Sequence, residues 1–331
     1  MERIPAPTPG PGEVLVAVEH CGVCGTDIHI AAGRFSVPTL PLVLGHEFAG
    51  TVAGVGRDVF DLSTGERVAV DVIVPCGRCR TCRHQRPHLC TEARELGIHV
   101  PGGLAEFVAV PRGNVHRLPN RISLREAALI EPLACAIHGQ DRISVGLGDR
   151  VVVIGGGAQG LLHALLARLR GAAHVVVSAR NRHRRARAMD LGADVVVDAG
   201  EDPVGEIRAG LGGCGADVVI EAAGTAAAHE HAVRVVRRGG RLLVYGAAPR
   251  GLRLPLTAFE VFEQELTIVG SYGGTGDTWP RAIELVAAGR VQLGALVDRE
   301  WSLAHTPTAL EVLAADRSLV KGRIVVGGDA S

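Results

Sequence analysis

The sequence predicts an α/β protein that combines a barrel-like β domain with a doubly wound parallel sheet. Two patterns indicate this. Short β-rich runs broken by glycine fill roughly the first third of the chain, whereas from Arg150 onward continuous apolar strands alternate with helical stretches. At 331 residues the chain is long enough for two domains, and 44 glycines suit tightly turned architecture rather than disorder.

The composition excludes several classes of function. Lys plus Arg equals Asp plus Glu at 35 each, so no net charge attracts nucleic acid or an anionic membrane. Aromatic residues make up only 3%, which leaves few platforms for stacking bases. No apolar run reaches spanning length, and residues 1–5 lack the apolar core of a signal peptide. We therefore expect a cytoplasmic, soluble protein that acts on a small molecule, with no nucleic-acid or membrane partner.

The first domain begins with strands that can be placed from local patterns. Strands are predicted at residues 13–18, 43–55, 67–74, 103–110 and 115–118. Ser123 followed by Glu126 is typical of a helix start. We predict that this helix carries Glu131 at its far end, just before Pro132.

The stretch after the first strand, Cys24-Gly-Thr-Asp-Ile-His29, indicates a metal site. It places a thiolate, a hydroxyl, a carboxylate and an imidazole close together, and Gly25 lets the backbone bend tightly around a bound ion. A turn with Cys24 buried as a small hydrophobe is the alternative. The second ligand group, His46-Glu47, favours the metal, and a thiolate with a nitrogen ligand suits zinc.

Four cysteines in one short loop predict a second metal site. Two residues separate Cys76, Cys79 and Cys82, and the longer gap to Cys90 lets the chain return to close a tetrahedron. In a reducing compartment this pattern favours metal over disulfides. Because four thiolates leave no open position, the site should be structural. Incidental reduced thiols and a nucleic-acid-binding zinc ribbon, suggested by the arginines of the loop, are the alternatives.

A glycine-rich turn after Arg150 is typical of dinucleotide binding. The apolar strand 151–154 leads into Gly155-Gly-Gly157-Ala158-Gln159-Gly160 and a helical run at 161–169, followed by a strand at 174–177. Such glycines allow the tight turn, the approach of pyrophosphate and close packing of helix on strand. Further strands are predicted at 194–197, 217–220, 241–245 and 266–269, as a doubly wound sheet requires.

The end of the second strand of this sheet favours NADP over NAD. An NAD site normally has an acidic residue there, whereas this chain has Ala179 followed by Arg180, with Arg184 close behind. Arginines attract a 2′-phosphate. The alternative is that they form the solvated face of the next helix.

Taken in order, these motifs resemble the zinc-dependent medium-chain alcohol dehydrogenases, and within them the polyol (sorbitol) and threonine dehydrogenases. The resemblance runs across essentially the whole chain. It implies a GroES-like catalytic domain formed by residues 1–132 and 269–331, with a structural zinc lobe at 76–90. It also implies a Rossmann coenzyme domain at residues 133–268, and an active site in the cleft.

The resemblance implies the metal ligands and the proton path. Cys24, His46 and Glu131 would hold a catalytic zinc with Glu47 as an alternative ligand, and the four-cysteine loop would hold a structural zinc, so that each chain binds two zinc ions. Asp27 would orient His46, and Thr26 would pass the alcohol proton through the coenzyme ribose towards His29. The remaining cysteines are expected at buried apolar positions: Cys21, Cys135 and Cys214.

The implied activity is hydride transfer between a secondary alcohol and a nicotinamide coenzyme, with zinc as the Lewis acid. The substrate would be a polyol, an amino alcohol or a cyclitol, or the corresponding carbonyl compound. L-Threonine 3-dehydrogenase-type activity and a non-catalytic, nucleotide-binding relative are the alternatives. The resemblance further implies a homodimer or a homotetramer formed through the coenzyme domain.

Overall fold

A computed structural model describes residues 1–35, 37, 40–200 and 202–327. The chain divides into two compact units, one formed by Met1–Ala134 with Gly273–Ser331 and the other by Cys135–Tyr272. The domain limits derived from the sequence stay a prediction. Residues 36, 38, 39, 201 and 328–331, which fall within those predicted domains, lie outside the described residues.

The strands and helices follow in chain order. The strands are β1 (Glu13–Val23), β2 (Glu47–Val55), β3 (Arg67–Val70), β4 (Ile73–Val74), β5 (Arg94–Glu95), β6 (Phe107–Pro111), β7 (Val115–Arg117), β8 (Arg150–Ile154), β9 (His174–Ala179), β10 (Val195–Asp198), β11 (Ala216–Glu221), β12 (Val236–Val244), β13 (Thr267–Gly270), β14 (Val297–Ser302) and β15 (Lys321–Val325). The helices are α1 (Gly25–Ala31), α2 (Arg80–Arg83), α3 (Leu124–Ala127), α4 (Ile130–Ile143), α5 (Ala158–Leu169), α6 (Arg182–Asp190), α7 (Pro203–Gly210), α8 (Ala226–Val235), α9 (Ala258–Glu263), α10 (Thr278–Ala287) and α11 (Thr306–Ala315).

The first unit is built on a mixed sheet in the order β14-β15-β1-β2-β3-β7, with β6 also paired to β1. All pairs are antiparallel except β14 with β15. Alternate residues of β1, including Val14, Val16 and Val18, are buried in a core that also contains Phe48 and Trp301. This alternation is the signature of a strand with one face on the core. β1 therefore anchors the segment that follows it, which carries Cys24.

Several sequence predictions for this unit need correction. The predicted strand at 103–110 begins only at Phe107, and the predicted strand at 67–74 is two strands, β3 and β4. Residues 43–46 are a loop, and β2 begins only at Glu47. Gly45 has a φ of +91°, and a Cβ there would lie 2.8 Å from the Leu104 backbone nitrogen, so only glycine fits this bend. The helix that Ser123 caps is α3, which ends at Ala127. Glu131 instead lies in the first turn of a separate helix, α4.

The second unit is a fully parallel sheet in the order β10-β9-β8-β11-β12-β13, with the helices α5 to α9 between successive strands. The predicted doubly wound α/β fold is confirmed. The strand order reverses between β8 and β11, which is the edge where α/β sheets bind ligands at the carboxyl ends of their strands. The glycine-rich turn lies at this point, directly after β8.

Within the described residues, no helix is both long and apolar enough to cross a membrane.

Candidate metal centres and coenzyme site

Asp27 connects the two segments that carry the first group of predicted metal ligands. It lies in α1, the helix that begins directly after Cys24, and it is fully buried. Its Oδ2 accepts a hydrogen bond from the Cys24 N–H at 2.8 Å, and its Oδ1 accepts one from the Gly45 N–H at 3.2 Å. One of these N–H groups belongs to Cys24 and the other to Gly45, the residue before His46. A single carboxylate therefore sets how closely Cys24 and His46 approach.

Cys24, His46 and Glu47 form a donor set that fits zinc. One ligand atom from each lies within 4.8 Å of the others, and His46 and Glu47 are buried. Zinc bonds of about 2.0–2.3 Å place tetrahedral ligands roughly 3.3–3.8 Å apart, so small side-chain shifts would bring these three atoms onto one ion. Asp27 Oδ1 lies 3.4 Å from His46 Nδ1, on the side of the ring where an orienting acceptor is expected.

Electrostatics couple His46 to Asp27. Burial alone would lower the pKa of His46, but the Asp27 carboxylate and the Cys24 sulfur raise it well above its usual value. Burial would likewise raise the pKa of Asp27, but the facing His46 ring lowers it. Each partner therefore favours the charged form of the other, and a metal that binds His46 has to displace a proton.

Glu47 forms a buried ion pair that the sequence analysis missed. Lys321, in β15, places its Nζ 2.6 Å from Glu47 Oε1, and both side chains are buried. Lys321 is the only lysine in the chain, and its strand also carries Arg323. That single lysine was the available signal, although nothing in the sequence identified its partner.

Glu131 is not one of the three side chains of this group. Among the described residues, the group around Cys24 contains His46 and Glu47 but not Glu131, which is half-buried. Its electrostatic neighbour is Asp71, which the sequence analysis also missed. Burial raises the pKa of Asp71 to about 7, the Ile73 N–H acts in the opposite direction, and Glu131 adds to the rise. The role of Glu131 as a zinc ligand stays a prediction.

The predicted relay residues lie along α1. Thr26 is half-buried, and its Oγ1 lies 3.8 Å from Cys24 Sγ. His29 is exposed and follows three residues later, so the two side chains are neighbours on one face of the helix. A hydroxyl beside the metal-ligand group is thus followed by an imidazole that faces solvent.

The four-cysteine loop is folded as a second donor set. Cys76, Cys79, Cys82 and Cys90 place their sulfur atoms within 4.8 Å of one another. Cys79 Sγ lies 3.4 Å from Cys82 Sγ and 3.7 Å from Cys90 Sγ, close to the roughly 3.8 Å edge of a tetrahedron of zinc–sulfur bonds. The N–H groups of Cys79 and Cys76 donate to Cys76 Sγ and Cys90 Sγ, an arrangement that suits thiolates.

The glycine turn after β8 has the close contacts that its sequence predicts. Gly155 has a φ of +122°, and a Cβ on Gly160 would lie only 1.8 Å from the Gly155 oxygen. Around Gly157, by contrast, a Cβ would meet only Arg184 Nη1, at 3.9 Å, which leaves open space above the N-terminus of α5. Ala158 and Gln159 begin α5, and Gln159 Oε1 accepts a hydrogen bond from the Tyr245 hydroxyl at 2.8 Å.

The two predicted coenzyme arginines differ in position. Arg184 is half-buried in α6 beside the glycine turn, with its Cβ 3.2 Å from where a Cβ on Gly156 would lie. Arg180 is exposed, directly after β9. Arg185 forms an ion pair with Asp198, whose Oδ2 lies 2.8 Å from the Arg185 Nη1. Of these three arginines, Arg184 is therefore the one with a contact recorded at the glycine turn.

Of the three cysteines outside the metal groups, Cys21 and Cys135 are buried as expected. The prediction was wrong for Cys214, which is exposed, with its Sγ 3.8 Å from the Gly212 oxygen. It follows two consecutive glycines with positive φ, and this turn carries it away from the core.

Two family models match the chain. The "Alcohol dehydrogenase GroES-like domain" model matches residues 10–120, and the "Zinc-binding dehydrogenase" model matches residues 158–288. An L-threonine 3-dehydrogenase of Chelativorans sp. (strain BNC1) is 36% identical over 332 residues, covering 98% of this chain and 94% of the relative. D-Arabinitol dehydrogenase 1 of Uromyces fabae is 33% identical over 311 residues, covering 93% and 88%.

Solved structures agree with these matches. A structure from Sinorhizobium meliloti 1021, described as a zinc-binding dehydrogenase and bound to NADP, superposes with a TM-score of 0.93 at 38% identity. The match covers 98% of this chain and 94% of that one. The alcohol dehydrogenase TADH from Thermus sp. ATN1 superposes with a TM-score of 0.90 at 30% identity, covering 98% and 96%.

Proposed function

The chain belongs to the zinc-dependent medium-chain alcohol dehydrogenases, and on this premise we propose that it exchanges a hydride between a nicotinamide coenzyme and a secondary alcohol that carries a neighbouring hydroxyl or amino group. The observation that carries the proposal is the group formed by Cys24, His46 and Glu47. It combines a thiolate, an imidazole and a carboxylate whose ligand atoms lie within 4.8 Å of one another, and these are ligand types that zinc accepts.

The relatives support this class of substrate. By their names, two of them act on L-threonine and on D-arabinitol. Both molecules carry a secondary hydroxyl beside a second polar group, an amine in one and a hydroxyl in the other. Polyol or cyclitol oxidation and L-threonine 3-dehydrogenase-type activity are therefore two forms of the same proposal.

Two zinc sites are part of the proposal. Cys24 and His46 would hold the catalytic zinc, with Glu131 or Glu47 completing the set, and the four cysteines of the loop would hold the structural zinc. When bound, the catalytic zinc supplies a Lewis acid that polarises the substrate oxygen, and the coenzyme supplies a hydride acceptor.

The side chains of α1 orient the site and move the proton. Asp27 keeps His46 and Cys24 in register through its contacts with the Gly45 and Cys24 N–H groups. Thr26, beside the Cys24 sulfur, accepts the alcohol proton on its hydroxyl, and the exposed His29 releases the proton to solvent.

NADP is the proposed coenzyme. Arg184 beside the glycine turn and the exposed Arg180 form a positive edge where an NAD site would have an acidic residue. The relative from Sinorhizobium meliloti, solved with NADP, supports this preference.

The test is coenzyme reduction by zinc-loaded protein with L-threonine, polyols, cyclitols and simple alcohols, using NAD and NADP in parallel. We expect turnover with at least one substrate that has adjacent polar groups. Cys24→Ser should abolish turnover while circular dichroism stays unchanged, and Cys214→Ser, an exposed cysteine, should behave as wild type. Full activity in Cys24→Ser would refute the assignment. If none of these alcohols is oxidised, NADPH oxidation would be measured with the matching ketones. Absence of turnover in both directions would refute the activity.

A further inference from the structure

A buried carboxylate and a buried imidazole meet at the carboxyl end of the central strand β11. Glu221 is the last residue of β11 and has no exposed surface, and His229 in α8 is 2% exposed. Glu221 Oε2 lies 3.4 Å from His229 Nε2. Neither residue belongs to the metal centres or to the glycine turn, and the sequence analysis singled out neither.

Glu221 holds the chain segments that follow two neighbouring strands. Its Oε1 accepts hydrogen bonds from the N–H groups of Ala223 at 2.8 Å and Gly224 at 2.7 Å. Its backbone oxygen accepts hydrogen bonds from the N–H groups of Tyr245 and Gly246, at 3.0 and 2.8 Å. One residue therefore fixes both the turn after β11, residues 222–224, and the end of β12.

The turn at residues 222–224 packs directly against the glycine turn. Its first N–H, from Ala222, donates to the Ile154 oxygen at 2.9 Å. A Cβ on Gly155 would lie 3.1 Å from the Ala222 carbonyl carbon, and a Cβ on Gly246 would lie 2.2 Å from the Gly224 nitrogen. Because the turn has no free space on either side, a shift in it has to move Gly155.

The contacts of His229 favour a proton between it and Glu221. His229 Nδ1 lies 2.8 Å from the Thr225 oxygen, and because a carbonyl only accepts, Nδ1 carries a hydrogen. In a neutral ring Nε2 would then present a lone pair to the Glu221 carboxylate. Two buried acceptors at 3.4 Å repel each other unless a second proton lies between them. With that proton, the pair links β11 to Thr225, the N-cap residue of α8.

We propose that Glu221 and His229 are positioning residues for the coenzyme. The proton-linked pair holds the turn at 222–224, and that turn holds Gly155 and the backbone of the glycine turn in the conformation that receives the pyrophosphate. The link to the coenzyme rests on the proposed function, whereas the mechanical link between the two turns does not.

Four variants test this role. His229→Leu and Glu221→Leu each remove one partner and leave the other buried alone. Glu221→Gln keeps every contact, since its amide oxygen accepts from Ala223 and Gly224 and its NH2 group donates to Nε2 of a neutral His229 ring. Val219→Ala is the matched control, because it lowers stability by removing fully buried methyl groups from the same strand without touching either turn.

The readouts are NADPH and NADH fluorescence titrations and hydrogen exchange of peptides covering residues 153–160 and 221–226. We expect His229→Leu and Glu221→Leu to raise the Kd of both coenzymes about tenfold and to accelerate exchange in both peptides. Glu221→Gln and Val219→Ala should stay within about twofold of wild type in Kd. If His229→Leu does not fold, the double variant Glu221→Leu with His229→Leu, which leaves no buried charge, gives the same readouts.

An unchanged Kd in His229→Leu, or an equal loss of affinity in Val219→Ala, would overturn the proposal. Failure of the proposed function is distinguishable from this. Wild-type protein that binds neither coenzyme would refute the dinucleotide site, and the exchange of residues 153–160 in His229→Leu would still decide whether the pair holds the glycine turn.

Discussion

Lys321 Nζ lies 2.5 Å from Glu47 Oε2, in an ion pair whose side chains are 6% and 2% exposed. The last described strand thus supplies the countercharge for the residue next to His46. Burial would lower the pKa of Lys321, but Glu47 and Cys24 raise it above its usual value, so the amine stays charged. Since the chain contains no other lysine, this pair can be probed selectively.

Acylation with an amine-selective reagent should modify the native protein at its terminal amine and leave Lys321 unmodified. Such reagents need an accessible, unprotonated amine, and Lys321 is neither exposed nor neutral. Protein unfolded in guanidinium should take up one further group. Intact-mass and peptide mass spectrometry would locate both groups. Rapid modification of Lys321 in the native protein would show that the ion pair is open in solution.

Replacing Lys321 by Met should destabilise the protein by about 3–5 kcal/mol, because Glu47 loses its buried countercharge. The double variant Lys321→Met with Glu47→Gln should recover most of this loss. Chemical denaturation would measure both. Arg57→Met is a suitable control, since its partner Asp58 and Arg57 itself are 60% and 81% exposed. A loss in Lys321→Met no larger than in this control would contradict the role of the pair.

The pairing of Glu47 with Lys321 illustrates what sequence patterns omit. The grouping of Cys24 with His46, and of the four cysteines with one another, could be predicted because ligand chemistry and short spacing carry the information locally. The glycine turn was predictable for the same reason. The pairs Glu47–Lys321 and Glu221–His229 depend instead on which strands and helices lie side by side, and no local pattern encodes that. Local patterns also failed to place Glu131. It lies in α4, which begins after the helix that Ser123 caps has ended.

Removal of the coenzyme arginines should change coenzyme preference. Arg184→Ala and Arg180→Ala should each weaken NADP binding about tenfold, the worth of one hydrogen bond to a charged group, and leave NAD binding nearly unchanged. Arg182→Ala is the matched control, because it is exposed on α6 two residues from Arg184 and points to another side of the helix. Equal losses for NAD and NADP would refute a 2′-phosphate contact.

Replacement of Cys79 should remove one zinc and lower stability. A structural zinc contributes folding free energy, so Cys79→Ser should reduce the zinc content from two ions to one per chain and lower the thermal midpoint. Cys214→Ser makes the same chemical change at an exposed cysteine outside the metal groups and should alter neither quantity. Elemental analysis and calorimetry measure them. A wild-type zinc content in Cys79→Ser would contradict the assignment of a structural zinc to this loop.

His163 in α5 should make the protein sensitive to acid. It is fully buried, neither ring nitrogen has a hydrogen-bond partner among the described residues, and it meets Tyr245 edge-on. Burial, helped by Arg170, lowers the pKa of His163 to about 3. Between the unfolded pKa of about 6.5 and this value only the unfolded chain binds the proton, so stability falls as the pH falls.

His163→Leu should therefore flatten the pH dependence of unfolding. At pH 5 the wild type should have lost about 2 kcal/mol through this residue, relative to pH 7, because each pH unit below the unfolded pKa costs about 1.4 kcal/mol. Urea denaturation at pH 7, 6 and 5 would measure the difference between wild type and His163→Leu. His183→Leu, at an exposed histidine of α6, should keep the wild-type slope. Parallel pH profiles for wild type and His163→Leu would mean that the buried ring takes up a proton without cost, against the environment that the fold provides.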